Sequence, residues 1–150
     1  MNKLDLGGEK DKGNTPLGYV NVNKEEVFAD IITDLDISPY PFEDNSIDRI
    51  YTCHTLEHIK DWIRFVGECH RILKPYCELE IRVPYGHTQL NNPHHLHDFT
   101  DKKFRKFVRL FGGWEIVSLS VGRGRFRKWR KCEITCVLKK LPLTFTPEGD

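Results

Sequence analysis

Between Ile47 and Pro84 the chain carries a strand, a helix and a second strand in direct succession, and that unit limits the possible folds more than any other stretch. Ile47 to Thr52 reads as the first strand. Ile59, Trp62, Ile63, Val66, Cys69 and Leu73 then recur at helical spacing, and Lys74-Pro75 ends the helix. Glu78 to Val83 is the second strand, closed by Pro84. Strands of one sheet joined through a helix run parallel and connect with a right-handed crossover.

The flanking sequence extends the same plan. Lys3 to Leu6 is a short strand that breaks at Gly7-Gly8, Tyr19 to Asn23 is another, and Phe28 to Ile32 a third. Thr100-Asp101 caps a helix with apolar residues Phe104, Phe107, Val108 and Phe111, and Gly112-Gly113 ends it. Trp114 to Val121 and Glu133 to Leu138 are two last strands joined by a basic hairpin. This order predicts one α/β domain over residues 1–150, with a frayed tail from about residue 142. Its architecture is a doubly wound, Rossmann-like, mostly parallel sheet with an antiparallel closing strand.

The chain has 150 residues, 39% hydrophobic and 30% charged, with a formal net charge of +1, so only local patches can select a partner. No apolar run reaches the ~20 residues needed to span a bilayer, and the amino terminus lacks a signal-peptide pattern. The five cysteines (Cys53, Cys69, Cys77, Cys132 and Cys136) are an odd number in apolar contexts, which predicts reduced thiols in a cytoplasmic protein.

Sheets of this kind bind ligands beyond the carboxyl ends of their strands, where the strand order reverses. The residues just past the first four strands are therefore the candidates: Gly7-Gly8, Asn23, Asp34-Leu35 and His54 to His58.

Those positions carry a family pattern. "LDLGG", then "GYVNVN", then "DLDISPYPFEDNSIDRIYTCHTLEHI", then "ECHRILKPYCELEIRVP" resembles the class I S-adenosylmethionine-dependent methyltransferases of the type-11 group, in a compact form shortened at the amino terminus. The resemblance implies a methyltransferase with S-adenosyl-L-methionine as cofactor. It implies that Asp5, Gly7 and Gly8 hold the cofactor's amino-acid end, that Asn23 meets the ribose, and that Asp34 and Leu35 border the adenine. His54 would stand near the sulfonium. Two positions depart from the family pattern: Glu9 replaces the later glycine of the loop, and Asn23 replaces the ribose-binding carboxylate. With no room for a helix between the first two strands, a protein partner could complete the pocket.

His54, Glu57 and His58 are spaced to share one helix face, and the loop after the fifth strand can bring His95 to them. These four are the candidate catalytic residues, as bases toward an acceptor hydroxyl or amine. A divalent metal is the less favoured use of the cluster, because the ligand pattern is incomplete. His94 and His97 are expected to be exposed loop residues. Residues 123–131 alternate arginine and lysine with Phe126 and Trp129, which suits either single-stranded nucleic acid or a solvated edge hairpin, the latter preferred. The leading expectation is methyl transfer to an oxygen or nitrogen acceptor. Its competitors are a non-catalytic binding module and an RNA methyltransferase that uses the histidines, with or without a metal.

Overall fold

Leu79, Ile81 and Val83 are buried while Glu78, Glu80 and Arg82 between them are only partly covered, the two-residue period of a strand with one face on a core. The computed structural model describes residues 1–8, 15–27, 29–86, 92–123 and 132–142. Their strands are β1 (Lys3–Leu6), β2 (Val20–Asn23), β3 (Ile31–Ile32), β4 (Ile47–Cys53), β5 (Leu73–Pro84), β6 (Trp114–Arg123) and β7 (Cys132–Lys140). Their helices are α1 (Trp62–Ile72) and α2 (Asp101–Phe111), with a short 3-10 turn at Leu56–His58. The basic stretch from 124 to 131 and the tail from 143 lie outside the described residues, so the hairpin and frayed-tail expectations are not addressed.

The seven strands form one sheet in the order β3-β2-β1-β4-β5-β7-β6. β1 to β5 pair in parallel, as the strand–helix–strand pattern requires. β7 is antiparallel to both β5 and β6. It is the antiparallel closing strand expected, and it lies between β5 and β6 with β6 outermost. The strand order reverses at β1, which lies between β2 and β4.

Register aligns the apolar rows. Leu4 pairs with Ile50, Ile50 with Leu79, Leu79 with Leu138 and Leu138 with Ile116. Against this face pack Phe65, Val66, Cys69 and Ile72 of α1 and Phe104 and Phe107 of α2, all in one core. Trp62 bridges the helices, its ring 5.1 Å from Phe107 and 5.4 Å from Phe99. The opposite face is ionic: Arg49 reaches Glu78 at 2.7 Å and Glu80 at 3.2 Å, and Arg82 reaches Glu80 at 2.8 Å. Among the described residues, both helices lie on the apolar face.

Element boundaries shift for local reasons. α1 starts at Trp62 because Asp61 caps it, accepting from the Arg64 amide at 3.0 Å. It ends at Ile72, one residue before the expected Leu73. Pro75 disfavours helical geometry at Lys74, and Leu73 instead pairs with Ile47 at the start of β5. β3 is two residues rather than five, since it pairs only with Val22 and Asn23 at the end of β2. Thr100 caps α2 as expected, accepting from the Lys103 amide at 3.2 Å, and Gly112 follows the helix at φ 63°.

Arg71 of α1 holds the turn that feeds β4. Its guanidinium donates to the carbonyls of Tyr40 (3.1 Å) and Phe42 (2.8 Å) and to the carboxylates of Glu68 and Asp44. The Tyr40 hydroxyl in turn donates to the Leu35 carbonyl at 2.8 Å, so the clamp reaches the loop after β3. Removing charged donors from carbonyls costs about 2 kcal/mol for such a partly covered group. Arg71→Ala is expected to lower the melting temperature by about 5 °C, read by circular dichroism, whereas Arg71→Lys recovers only part because one amine cannot span the four partners.

Candidate functional site

The loops after β1, β2, β3 and β4 converge at the carboxyl end of the sheet around an open cavity of about 230 Å³. Gly7 comes from the first loop, Asn23 and Lys24 from the second, Asp34, Leu35 and Asp36 from the third, and His54, Thr55, His58 and Ile59 from the fourth. Six positions assigned a role from the sequence, Gly7, Asn23, Asp34, Leu35, His54 and His58, thus border one space, with Thr55 of the named span His54 to His58. Lys24, Asp36 and Ile59 border it as well; each neighbours a named residue, and that adjacency was the available signal.

Asp5 and Gly8 sit below the cavity, not on its wall. Asp5 is fully buried, and a Cβ on Gly8 would stand 2.0 Å from its Oδ2. Asn21, which the sequence did not single out, ties this floor together. Its Nδ2 donates to the Gly8 carbonyl at 2.8 Å and to Thr15 Oγ1 at 3.1 Å, and lies 3.5 Å from Asp5 Oδ2. Asp5 Oδ1 and Asn21 Oδ1 are buried with no hydrogen-bond partner. Burial is the main cause that pushes the Asp5 carboxyl from 3.8 up to about 6, against hydrogen bonds from Thr15 and Asn21.

Gly7 has φ +81°, and a Cβ there would lie 2.4 Å from Thr55, so only glycine lets β1 pass this close to the β4 loop. Asn23 spends its amide inside the protein: Nδ2 donates to the Gly8 carbonyl at 3.0 Å and Oδ1 accepts from the Glu25 amide at 3.2 Å. Glu9, the other departure from the family pattern, lies outside the described residues.

The histidines converge beside the cavity. His54 sits at φ 53° just past β4 and its amide donates to the Arg82 carbonyl at 2.9 Å. Its Nε2 meets Glu133 Oε2 of β7 at 2.8 Å, and its Nδ1 lies 3.4 Å from Glu57 Oε1. Glu133, first, and Glu57 outweigh burial and raise the His54 imidazole from 6.5 to about 9. At neutral pH His54 is therefore an imidazolium, unsuited to take a proton, and of the four candidate bases it is the one this geometry disfavours.

His58 Nδ1 donates to the His94 carbonyl at 2.9 Å, which leaves Nε2 to face Glu57 Oε1 at 3.9 Å. The His95 ring crosses the His58 ring edge to face at 4.8 Å, and burial lowers the His95 imidazole below its ordinary value. The Leu96 amide donates to the Glu57 carbonyl at 2.8 Å, zipping the two loops together. His97 is not the exposed residue expected: it is half-buried, with Nε2 2.9 Å from the Ile59 carbonyl and 3.1 Å from that of Lys60. His94 is exposed, as expected.

Residues 17–79 match a family model described as a methyltransferase domain. No protein of curated function matches the sequence. The fold matches solved structures throughout its length. A candidate methyltransferase of Bacillus halodurans is 12% identical, over 94% of this chain and 93% of that one, with a TM-score of 0.77. An S-adenosylmethionine-dependent methyltransferase of Methanosarcina mazei is 17% identical, over 93% and 92%, at 0.71. A candidate methyltransferase of Haloferax volcanii, solved in complex with the Trm112 methyltransferase activator, is 14% identical, over 94% and 83%, at 0.72. At these identities the likeness is one of fold.

Because folding raises the Asp5 carboxyl above its unfolded value, its charge opposes folding fully above about pH 6, and the penalty vanishes below 3.8, where both states are protonated. The span corresponds to about 3 kcal/mol at pH 7. Asp5→Asn, which removes the buried charge, is expected to raise stability toward urea by up to ~3 kcal/mol at pH 7. Its advantage over the natural chain should disappear near pH 3.5.

Proposed function

We propose that this chain, a class I methyltransferase domain by its fold and its matched segment, holds S-adenosyl-L-methionine in the cavity at the strand ends and moves the methyl group to an oxygen or nitrogen acceptor. The observation that carries the reading is the cavity itself: the loops after β1, β2, β3 and β4 all line it, at the point where the strand order reverses. Its volume of about 230 Å³ is just below the ~300 Å³ of small ligand pockets, which suits an open cleft.

The lining fits the cofactor. Asp34 and buried Leu35 line the side of the cavity assigned to the adenine, where the carboxylate can accept from its amine and the leucine offers an apolar wall. Asn23 would exchange one internal hydrogen bond for a ribose hydroxyl. When bound, the cofactor supplies a methyl group already activated on a sulfonium sulfur, so the protein's task is alignment. Gly7 contributes by leaving room for Thr55 on the cavity wall, where a Cβ would lie 2.4 Å from it. On the acceptor side, the His58 Nδ1 contact with the His94 carbonyl leaves Nε2 without a hydrogen bond, and burial lowers the His95 imidazole, so these rings are placed to receive an acceptor's proton.

Two further features belong to the proposal. Cys69 and Cys136 are buried free thiols, which supports a cytoplasmic location. Among the described residues no helix is long and apolar enough to cross a membrane. The activator bound to the Haloferax neighbour motivates a protein partner that covers the open side of the cavity here.

Calorimetric titration with S-adenosylhomocysteine tests the reading. One site with a dissociation constant of ~1–100 μM is expected, corresponding to about −8 to −5 kcal/mol. Gly7→Val, whose side chain collides with Thr55 on the cavity wall, should abolish binding. Asp34→Ala should weaken it by about tenfold, the worth of one charged contact. A folded chain that shows no heat at about 1 mM ligand would be a binding module without this cofactor, and the enzyme reading would fall.

A further inference from the structure

Glu57 is 1% exposed, and neither of its carboxylate oxygens has a hydrogen-bond partner. His54 stands 3.4 Å from Oε1, an ion-pair distance without hydrogen-bond alignment, and Oε2 meets no donor. A buried carboxylate without hydrogen bonds is costly, and the His54 imidazolium meets it on the Oε1 side alone. The neighbours facing Glu57 do not supply more donors. His58 donates from Nδ1 to the His94 carbonyl, and its Nε2 stands 3.9 Å from Oε1, too far for a hydrogen bond.

His95 completes the arrangement. One ligating atom from each of Glu57, His58 and His95 lies within 4.8 Å of the others. Around one ion with bonds of ~2.0–2.2 Å such atoms sit ~3–4 Å apart, so side-chain rotation of about 1 Å closes the set. The His58 hydrogen bond to a backbone carbonyl is the contact that fixes the tautomer and aims the free nitrogen of a metal-binding histidine.

We infer that Glu57, His58 and His95 form a binding site for a divalent transition-metal ion, open on its cavity side to an oxygen of the methyl acceptor. Two imidazoles and a carboxylate suit Zn²⁺, Fe²⁺ or Mn²⁺ rather than Mg²⁺ or Ca²⁺, which prefer oxygen ligands. Three protein ligands leave positions vacant, and His58 borders the cavity, so an acceptor hydroxyl or carboxylate can enter the coordination shell there. The site's role rests on the methyltransferase reading; its existence does not. It shifts the work of His58 and His95 from taking a proton to holding a cation that makes the acceptor oxygen more acidic.

The test is equilibrium binding of Zn²⁺ and Mn²⁺ to the full chain without a histidine tag, followed by competition with a chromophoric chelator. One ion per chain is expected, with affinity lowered about 10- to 100-fold by His95→Ala and by Glu57→Gln. Zn²⁺ should raise the melting temperature of the natural chain and leave that of Glu57→Gln unchanged. Absence of a bound ion in the folded protein overturns the inference, as does an ion whose affinity survives both substitutions. S-adenosylhomocysteine binding measured on the same samples separates the two proposals: binding without metal sinks only the metal site, and metal without cofactor binding sinks only the methyltransferase reading.

Discussion

β4 is hydrogen-bonded along both edges, to β1 through Lys3–Asp5 and to β5 through Glu78–Arg82, and its register sets the position of everything at the carboxyl end of the sheet. The pairing of Leu4, Ile50 and Leu79 puts the apolar row under the helices, and a slip of one residue would turn that row to the ionic face. The same register stops β4 opposite Arg82, where the His54 amide takes the Arg82 carbonyl and the chain turns with positive φ into the Thr55–His58 segment. β7, paired to β5 so that Glu133 lies opposite Pro84, delivers its carboxylate to His54. A buried hydrophobic row thus places a charged cluster that has no part in the core.

The two ends of the sheet are built differently. Toward the amino end, the rings of His70 and Trp114 meet edge to face and the Lys140 ammonium donates to Asn45 and to the Leu73 carbonyl. At the carboxyl end lie the buried oxygens that, among the described residues, have no partner: Asp5 Oδ1, Asn21 Oδ1 and both of Glu57. Polar atoms left unmatched inside a protein weaken it, and their concentration at one end marks where stability gives way to binding. Gly7 and Gly8 permit this crowding, since a side chain on either would collide with Thr55 or Asp5.

Much of this was readable along the chain. The period of two in β5, the helical recurrence in α1, the Thr100 cap and the glycine after α2 are local effects of sterics and burial, and they appear as expected. Adjacency also worked for the site: the convergence of His54, Glu57, His58 and His95 follows from short spacing and from the pairing of neighbouring strands. The residues missed were those placed by remote partners. Glu133 is 79 positions from His54. Asn21 looks like a strand residue until Gly8 and Asp5 close over it. His97 reads as a loop residue because the carbonyls of Ile59 and Lys60 that hold it lie in a separate turn.

The sequence by itself determined which segments become strands and helices, that β1 to β5 run parallel, and which loops meet where the strand order reverses. It could do so because backbone preference, side-chain period and short connections act over a few residues. Tertiary structure alone decided the insertion of β7 between β5 and β6, the depth at which Asp5 and Glu57 are buried, and the charge carried by His54. Those depend on distance and solvent exclusion between groups far apart in the chain, and the protonation of a group follows from what surrounds it in space.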